Sequence, residues 1–229
     1  MSSLVEVKGV HKVYPGGSKV AALRGVDLKI ARGEFSALAG PSGSGKSTLL
    51  NLIGTLDRPT KGTVSYDGHV VSSLDVDPLS DFRLRSLGFV FQAYNLIPVL
   101  TAVENVEYPL VLQGIDPAER RALALEALKW VSLTEYAERR PDLLSGGQQQ
   151  RVAVARAIVT KPSLVLADEP TANLDSKTGA HLLDLMEGLN KDHGITFLFS
   201  SHDGAVLERA RRVVRLQDGE LKADEVRAR

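Results

Sequence analysis

A glycine-rich segment early in the chain has the residue types of a phosphate-binding loop. Residues 40–47 read Gly-Pro-Ser-Gly-Ser-Gly-Lys-Ser, which fits the pattern G-x-x-x-x-G-K-[ST]. Glycines let the backbone turn sharply and bring its N–H groups close to phosphate oxygens. We expect Lys46 to reach the β- and γ-phosphates of a nucleotide and the Ser47 hydroxyl to ligate Mg²⁺. The residues predicted to contact the nucleotide here are Gly40, Ser42, Gly43, Ser44, Gly45, Lys46, Ser47 and Thr48.

Two adjacent acids follow an apolar segment in the second half of the chain. Residues 164–167 read Leu-Val-Leu-Ala, and Asp168 and Glu169 come directly after them. In enzymes with a phosphate-binding loop, an acid at the end of such a strand holds Mg²⁺, and we assign this role to Asp168. Glu169 would then lie beside the terminal phosphate, where it could act as the general base toward the attacking water.

A third segment combines a helix start with small residues. Residues 144–148 read Leu-Ser-Gly-Gly-Gln, and a serine followed three residues later by a glutamine is a capping-box pattern. A serine hydroxyl, two glycine N–H groups and the positive end of a helix dipole could together form a second phosphate clamp. The alternative interpretation is an ordinary helix cap. The residues concerned are Ser145, Gly146, Gly147 and Gln148.

These segments lie where predicted strands and helices meet. Residues 34–39 predict a buried strand before the glycine-rich loop, 47–55 a helix after it, and 163–167 a strand before the acid pair. Further strands are predicted at 4–10, 20–30, 87–92 and 195–200, and hairpins around Asp67-Gly68 within 63–72 and around Asp218-Gly219 between 212–216 and 220–221. Strand and helix alternation predicts a mostly parallel sheet with helices on its faces.

A helical block interrupts that alternation between about residues 96 and 161. Asp116 followed by Pro117 is a strong helix start, and residues 145–159 and 178–190 predict further helices. We therefore expect one domain over residues 1–229. Its catalytic core and β subdomain would comprise about 1–95 and 162–229, and its helical subdomain about 96–161.

Composition restricts the class of protein. The chain has 229 residues, 28 basic and 28 acidic side chains and no cysteine. The charge balance gives no broad attraction to nucleic acid, and the lack of cysteine excludes disulfides and thiolate metal sites. No segment approaches the run of about 20 apolar residues that spans a bilayer, and the first residues lack the apolar core of a signal peptide. We therefore expect a cytoplasmic location.

Together, residues 40–47, the acid pair and residues 144–148 resemble the motifs of the ATP-binding-cassette (ABC) ATPases. The resemblance extends over essentially the whole chain. It implies an α/β fold of the P-loop NTPase type, with a RecA-like, mostly parallel core sheet, an N-terminal antiparallel β subdomain and a helical subdomain carrying the signature residues 144–148. It also implies ATP and Mg²⁺ as ligands, with hydrolysis of the ATP.

Four further positions match landmarks of that family. Gln92 matches the Q-loop glutamine, implied to contact Mg²⁺ and water and to sense a membrane partner. Asp175 matches the D-loop aspartate, implied to link two active sites, and His202 matches the switch histidine, implied to contact the γ-phosphate. Tyr14 matches the aromatic residue that stacks on adenine. Ala172 stands where the nearest subgroup often has glycine, and we expect no loss of activity from it.

The family architecture separates the phosphate-binding loop from the signature by more than one ATP can bridge. The resemblance therefore implies a homodimer with two-fold symmetry. Each ATP would lie between Lys46 and Ser47 of one chain and Ser145 and Gly147 of the other. Such a subunit would power an integral membrane permease, from a peripheral position on the cytoplasmic side of the bacterial inner membrane. No nucleic-acid partner is expected.

Residues 56–60 and 91–106 are similar to one subgroup of these cassettes, the lipoprotein-releasing, macrolide-exporting, peptide-antibiotic-resistance and division-associated type. This similarity implies a permease with a large extracytoplasmic domain. The apolar stretch just after Gln92 suits a groove for a short helix of that partner, with plain core packing as the alternative. Two other functions stay open: a soluble cassette ATPase acting on DNA or ribosomes, and a regulator that recruits a membrane complex.

The other histidines and the tryptophan are given structural roles. His11, His69, His181 and His193 have no partners at metal-ligand spacing and are interpreted as surface or hairpin residues. Trp130 lies in the predicted helical block and is interpreted as a packing residue.

Overall fold

The computed structural model describes residues 3–15 and 20–227. The strands in this part of the chain are β1 (Ser3–Tyr14), β2 (Val20–Ala31), β3 (Phe35–Ala39), β4 (Lys61–Tyr66), β5 (His69–Val70), β6 (Leu87–Val90), β7 (Leu164–Asp168), β8 (Phe197–Ser200), β9 (Arg212–Gln217) and β10 (Glu220–Val226). The helices are α1 (Lys46–Ile53), α2 (Val76–Ser86), α3 (Ala102–Leu112), α4 (Pro117–Trp130), α5 (Gly146–Ile158), α6 (Ser176–His193) and α7 (Gly204–Arg209).

The strands form two sheets. One is antiparallel and has the order β2-β1-β4-β5. The other has the order β10-β9-β3-β8-β7-β6, and its strands are parallel except for the β9–β10 hairpin. The mostly parallel core sheet and the separate antiparallel sheet are as predicted. Both predicted hairpin turns are also present, with positive φ angles at Asp67, Gly68, Asp218 and Gly219, as two-residue hairpin turns require.

The core sheet is buried on both faces, and β3 shows how. All five of its residues are buried. Phe35 and Ala37 belong to a cluster that also contains most of the buried apolar residues of α3, α4 and α5, whereas Leu38 belongs to a second cluster shared with β1 and α1. Since side chains alternate across a strand, one strand contributes to both layers. The glycine-rich loop that follows β3 therefore starts from a rigid support.

Several elements differ from the sequence prediction. Helices α2 and α7 were not predicted. Leu79 is the one buried residue of α2, so this helix lacks the apolar periodicity that would indicate it. β1 continues to Tyr14, beyond the predicted end at residue 10, because its last residues still pair with β2. No helix among the described residues is both long and apolar enough to cross a membrane.

The other histidines agree with their interpretation as surface or hairpin residues. His11 is half-buried and lies in the antiparallel pair of consecutive strands β1 and β2, where it pairs with Arg24, and it also pairs with Lys61 of β4. His69, His181 and His193 are exposed, as predicted. Trp130 packs against the core, as predicted, and its ring also stacks on His193 with 4.0 Å between the ring centroids.

Candidate active site

The glycine-rich loop connects β3 to the first turn of α1. Lys46 is buried at the start of α1, and its Nζ donates hydrogen bonds to the carbonyl oxygens of Gly40 (2.9 Å) and Pro41 (3.1 Å). Gly45 has a φ of 103°, and a Cβ there would lie 2.7 Å from the carbonyl oxygen of Ala22. Only glycine satisfies both demands. The loop therefore holds its lysine ammonium close to its own main chain, where phosphate oxygens could replace the two carbonyls.

The end of β7 lies beside the start of α1. The hydroxyl of Ser47 donates to Asp168 Oδ1 at 3.2 Å, although the two residues are 121 positions apart in the chain. Gln92 lines a cleft together with Ser47. The Ser47 hydroxyl, the Asp168 carboxylate and the Gln92 amide oxygen are all oxygen ligands, the kind that Mg²⁺ prefers. The donor set therefore fits the metal assigned from the sequence, and the metal roles of these three residues stay predictions.

Both carboxylate oxygens of Glu169 have partners within the chain. Ser201 Oγ donates to Oε2 at 2.8 Å, and His202 Nδ1 lies 2.7 Å from Oε1. Glu169 has a φ of 45°, a left-handed backbone that non-glycine residues adopt rarely. β7 and β8 are adjacent parallel strands, so the residues after their carboxyl ends meet at one edge of the sheet. This places the predicted base and the predicted switch histidine in direct contact.

One cleft of about 460 Å³ brings many of the predicted site residues together. It is lined by Ala22, Pro41, Ser42, Gly43, Gly45, Lys46, Ser47, Thr48, Gln92, Glu169 and His202. The loop, the Q-loop glutamine, the acid and the histidine thus converge on one space of a size suited to a small ligand. Their separate catalytic and binding roles stay predictions.

The signature residues lie elsewhere. Ser145 caps α5 through the predicted reciprocal pair: its hydroxyl accepts from the Gln148 N–H at 3.3 Å, and its own N–H donates to Gln148 Oε1 at 2.8 Å. A Cβ on Gly147 would lie 2.4 Å from Thr178 Cγ2, so α5 starts in close contact with α6. Ser145 is exposed, and among the described residues none of the signature lines the cleft. The capping box is confirmed, and the phosphate clamp stays a prediction.

Asp175 has a structural role besides the one implied for it. Its side chain caps α6 by accepting from the N–H groups of Lys177 (3.1 Å) and Thr178 (3.0 Å). Hydrogen bonds from Thr178 and its neighbours hold the pKa of the Asp175 carboxyl below its usual value. Asp175 also lies outside the cleft lining, and its link to a second site stays a prediction.

Tyr14 lies at the end of β1, next to the loop after α1. Its hydroxyl donates to Asp57 Oδ2 at 2.9 Å, and Lys12 Nζ lies 4.8 Å from its ring centroid. Partial burial, and then the hydrogen bond to Asp57, raise the pKa of Tyr14. The ring is 37% exposed. It is not among the cleft-lining residues, and its stacking on adenine stays a prediction.

Two polar residues at the site were missed from the sequence. Ser201 is fully buried and holds Glu169, and it also accepts a hydrogen bond from the N–H of Asp203. Gln150 is fully buried under the site. Ser201 could have been noted as the first residue after β8, directly before the predicted switch histidine. Gln150 shares a helical face with the apolar residues Val154 and Ala157, and its burial follows from that spacing.

Comparisons with known proteins agree with these observations. A family model described as ABC transporter matches residues 23–172. An uncharacterized ABC transporter ATP-binding protein of Methanocaldococcus jannaschii is 48% identical over 97% of this chain and 97% of that protein. The macrolide export ATP-binding/permease protein MacB of Nitrosomonas europaea is 46% identical over 97% of this chain, which spans 34% of that longer protein.

A solved structure supports the same assignment. The cassette MJ0796, described as a dimeric post-hydrolysis state bound to ADP and Pi, is 46% identical with a TM-score of 0.90, over 98% of this chain and 99% of that one. The family match covers more than half of the chain, and the M. jannaschii relative matches it almost from end to end. The resemblance and the fold class are therefore confirmed, and the chain belongs to the ABC transporter family as one of its ATP-binding ATPase cassettes.

Proposed function

We propose that two copies of this chain close around two ATP molecules and drive a membrane permease. One observation carries the proposal: Lys46 and Glu169 line the cleft, whereas the signature serine, Ser145, is exposed outside it. An ATP site that uses both the glycine-rich loop (40–47) and the signature (144–148) would therefore take the loop from one copy and the signature from the other. The dimeric state described for the cassette MJ0796 supports this arrangement.

The described residues can perform the steps of hydrolysis in this arrangement. Lys46 exchanges its two loop carbonyls for phosphate oxygens and neutralises their charge. Ser47, Asp168 and Gln92 would hold Mg²⁺, which when bound neutralises charge on the β- and γ-phosphates. Glu169 releases one of its internal partners and accepts a proton from the attacking water.

The remaining site residues would complete each ATP site. His202 would contact the γ-phosphate, and Tyr14 would stack on the adenine. Ser145 and Gly147 of the second copy would close the site over the γ-phosphate with a hydroxyl and main-chain N–H groups. Asp175 would link this site to the other one. Because Lys46 and Glu169 are already held by hydrogen bonds within one copy, the main rearrangement on ATP binding would be the closing of the second copy over the site.

Cross-linking can test the dimer directly, since the chain has no native cysteine. Ser42→Cys in the loop is mixed with a second preparation carrying Leu143→Cys, which lies two residues before the signature serine and is 63% exposed. A short bismaleimide should join the two variants in the presence of Mg-ATP. Val226→Cys, 79% exposed on β10, is the matched control for Leu143→Cys. Equal cross-linking with and without nucleotide, or none at all, would refute the proposed dimer.

The permease would dock in a second, larger cavity. This groove has a volume of about 720 Å³, and its walls come from α2, β6, α3 and α5. Tyr108 and Leu112, on α3, are exposed at it. The MacB relatives are named as joined ATP-binding and permease proteins, and this chain matches 34% of the length of each. We propose that a short helix of a separate permease fills this groove.

A charged residue in the groove should prevent this docking. Leu112→Glu should abolish co-purification with a permease encoded beside this gene, while the ATPase activity of the isolated cassette stays unchanged. Val226→Glu also introduces a glutamate in place of an exposed apolar residue, but outside the groove lining, and should not affect co-purification. Binding that survives Leu112→Glu would exclude the groove as the docking site.

The finer assignments rest on similarity. MacB of Nitrosomonas europaea and the pyoverdine export protein PvdT of Pseudomonas entomophila are both 46% identical to this chain. We therefore propose a permease with a large extracytoplasmic domain and an export or extraction role, with the cassette bound at the cytoplasmic face of the inner membrane. We also propose residues 96–161 as the helical subdomain. A neighbouring gene encoding about four spans and a large loop after the first would support the permease assignment.

A further inference from the structure

A fully buried amide lies beneath the hydrolytic residues. Gln150, in the second turn of α5, is 0% exposed. Its Nε2 donates to the carbonyl oxygen of Pro170 at 2.8 Å and to that of Phe91 at 3.3 Å. These carbonyls belong to two different loops, one after β7 and one after β6. A single side chain therefore joins three parts of the fold.

The two carbonyls flank the residues that would act on the terminal phosphate. Phe91 immediately precedes Gln92, and Pro170 immediately follows Glu169. Glu169 has a left-handed φ of 45°, so its side-chain direction depends on contacts that hold the next peptide group in place. The helix that carries Gln150 begins at the signature glycines. Gln150 therefore connects the signature to both Gln92 and Glu169.

The Gln150 side chain has one costly feature. Gln150 Oε1 is buried without a hydrogen-bond partner among the described residues, and such an atom costs about 1–3 kcal/mol. Turning the amide over would place Oε1 against two carbonyl oxygens, so the observed orientation is the better one. A methionine of similar length would fill the space without Oε1, but it would remove the hydrogen bond that Gln150 donates to the Pro170 carbonyl. The amide is therefore explained by the two bonds it donates rather than by packing.

We propose that Gln150 is a positioning residue for ATP hydrolysis, coupling the signature helix to Gln92 and Glu169 of the same chain. This rests on the proposed dimer, in which the signature of one copy contacts the ATP of the other. A shift of α5 on contact with the second copy's ATP then reaches the chain's own hydrolytic residues through the Gln150 amide. ATP binding does not need this link, because Gln150 lies outside the cleft lining.

The test compares Gln150→Met with the wild-type chain. Misplacing reactive groups by a fraction of an ångström lowers rates about 10- to 100-fold, and this is the expected loss of kcat. KM and the directly titrated Kd for ATP should stay within about twofold of wild type. Tm should change little, because the lost donor to the Pro170 carbonyl and the removed Oε1 have opposite effects of similar size. Gln113→Met is the matched control, since Gln113 also donates from Nε2 to one carbonyl, that of Leu84, but Leu84 lies on α2 and is a chain neighbour of neither Gln92 nor Glu169. It should leave kcat unchanged.

Three results would overturn the proposal: kcat of Gln150→Met within about twofold of wild type, a parallel loss of ATP affinity, or an equal loss of kcat in Gln113→Met. Gln150→Asn, which keeps the amide but cannot span both carbonyls, should show an intermediate kcat. If neither Gln150 variant folds, the residue is a structural one and the proposal is wrong.

The nucleotide-dependent cross-link between Ser42→Cys and Leu143→Cys separates this proposal from the proposed dimer. Adding Gln150→Met to both chains should leave the cross-link intact while hydrolysis falls. Loss of the cross-link only when Gln150→Met is present would show that Gln150 acts on assembly, which contradicts the positioning role. Failure of the cross-link in the parent pair would refute the dimer itself.

Discussion

Replacing Glu169 with glutamine removes the proposed base and changes little else at the site. The carboxylate accepts from Ser201 Oγ at 2.8 Å and lies 2.7 Å from His202 Nδ1. A glutamine keeps one oxygen to accept from the serine and places an NH₂ group beside His202 Nδ1, whose donor or acceptor role depends on the tautomer. We therefore expect the free energy of unfolding to change by no more than about 1 kcal/mol.

The effect on turnover should be much larger. General-base catalysis contributes about 100- to 10,000-fold, which corresponds to about 3–5 kcal/mol of activation free energy. Lys46 and Ser47 are untouched, so the Kd for ATP should stay within about threefold of wild type. Because ATP would bind without being consumed, the variant should also accumulate as an ATP-dependent dimer.

Three measurements check this prediction: steady-state phosphate release, ATP titration and analytical ultracentrifugation with saturating Mg-ATP. Glu187→Gln is the control, because Glu187 lies on α6 and pairs with Lys191 on the surface. It should retain full turnover and show no trapped dimer. Turnover of Glu169→Gln above about a tenth of wild type would refute the general-base assignment.

Three further predictions follow from the same geometry. Lys46→Ala should weaken ATP binding about 10- to 100-fold, because a charge-assisted contact contributes about 1.5–3 kcal/mol; an unchanged Kd in a calorimetric titration would contradict the role of Lys46. Asp168→Asn should raise the Mg²⁺ concentration needed for half-maximal turnover, and EDTA should abolish turnover in both chains, so an unchanged Mg²⁺ requirement would contradict the metal assignment. Hydrogen bonds from Arg212 hold the pKa of Asp224 below its usual value, so this pair should stabilise the fold above the unfolded-state pKa of about 3.9 and lose that effect as pH falls through the lower folded-state pKa. Asp224→Asn should therefore lower the free energy of unfolding at pH 7 by no more than about 1 kcal/mol. In thermal unfolding this difference should shrink as the pH falls below the unfolded-state pKa, and a pH-independent difference would exclude this origin.

The sequence predicted the elements that carry strong local patterns. β3 and β7 are short apolar runs buried on both faces, and such runs are typical of parallel core strands. The signature helix was predicted from its capping box, which depends on two residues three positions apart. Helix α2 was missed because it buries only Leu79. A surface helix with so few buried residues has no apolar periodicity in its sequence by which it could be predicted.

The site was predicted as far as its motifs are local in sequence. Lys46, Ser47, Asp168 and Glu169 come from two short segments whose spacing indicates their chemistry. The role of Ser201 depends on β7 and β8 being neighbours in the sheet, and that of Gln150 depends on which loops pack over α5. Both are consequences of long-range packing. The local sequence does not distinguish Ser201 from the adjacent Ser200, or Gln150 from the two glutamines before it. It therefore predicts neither the contact of Ser201 with Glu169 nor that of Gln150 with the two carbonyls.

The left-handed backbone at Glu169 has a consequence for selection. A glycine would adopt that φ without the strain of about 1 kcal/mol that a side chain brings. Glu169→Gly would also remove the acceptor of the fully buried Ser201 hydroxyl, and an unpaired buried donor costs about 1–3 kcal/mol. The relaxed turn therefore returns no more stability than the lost hydrogen bond removes. A screen for heat-stable variants that scores only melting would thus keep this acid, although it never measures hydrolysis.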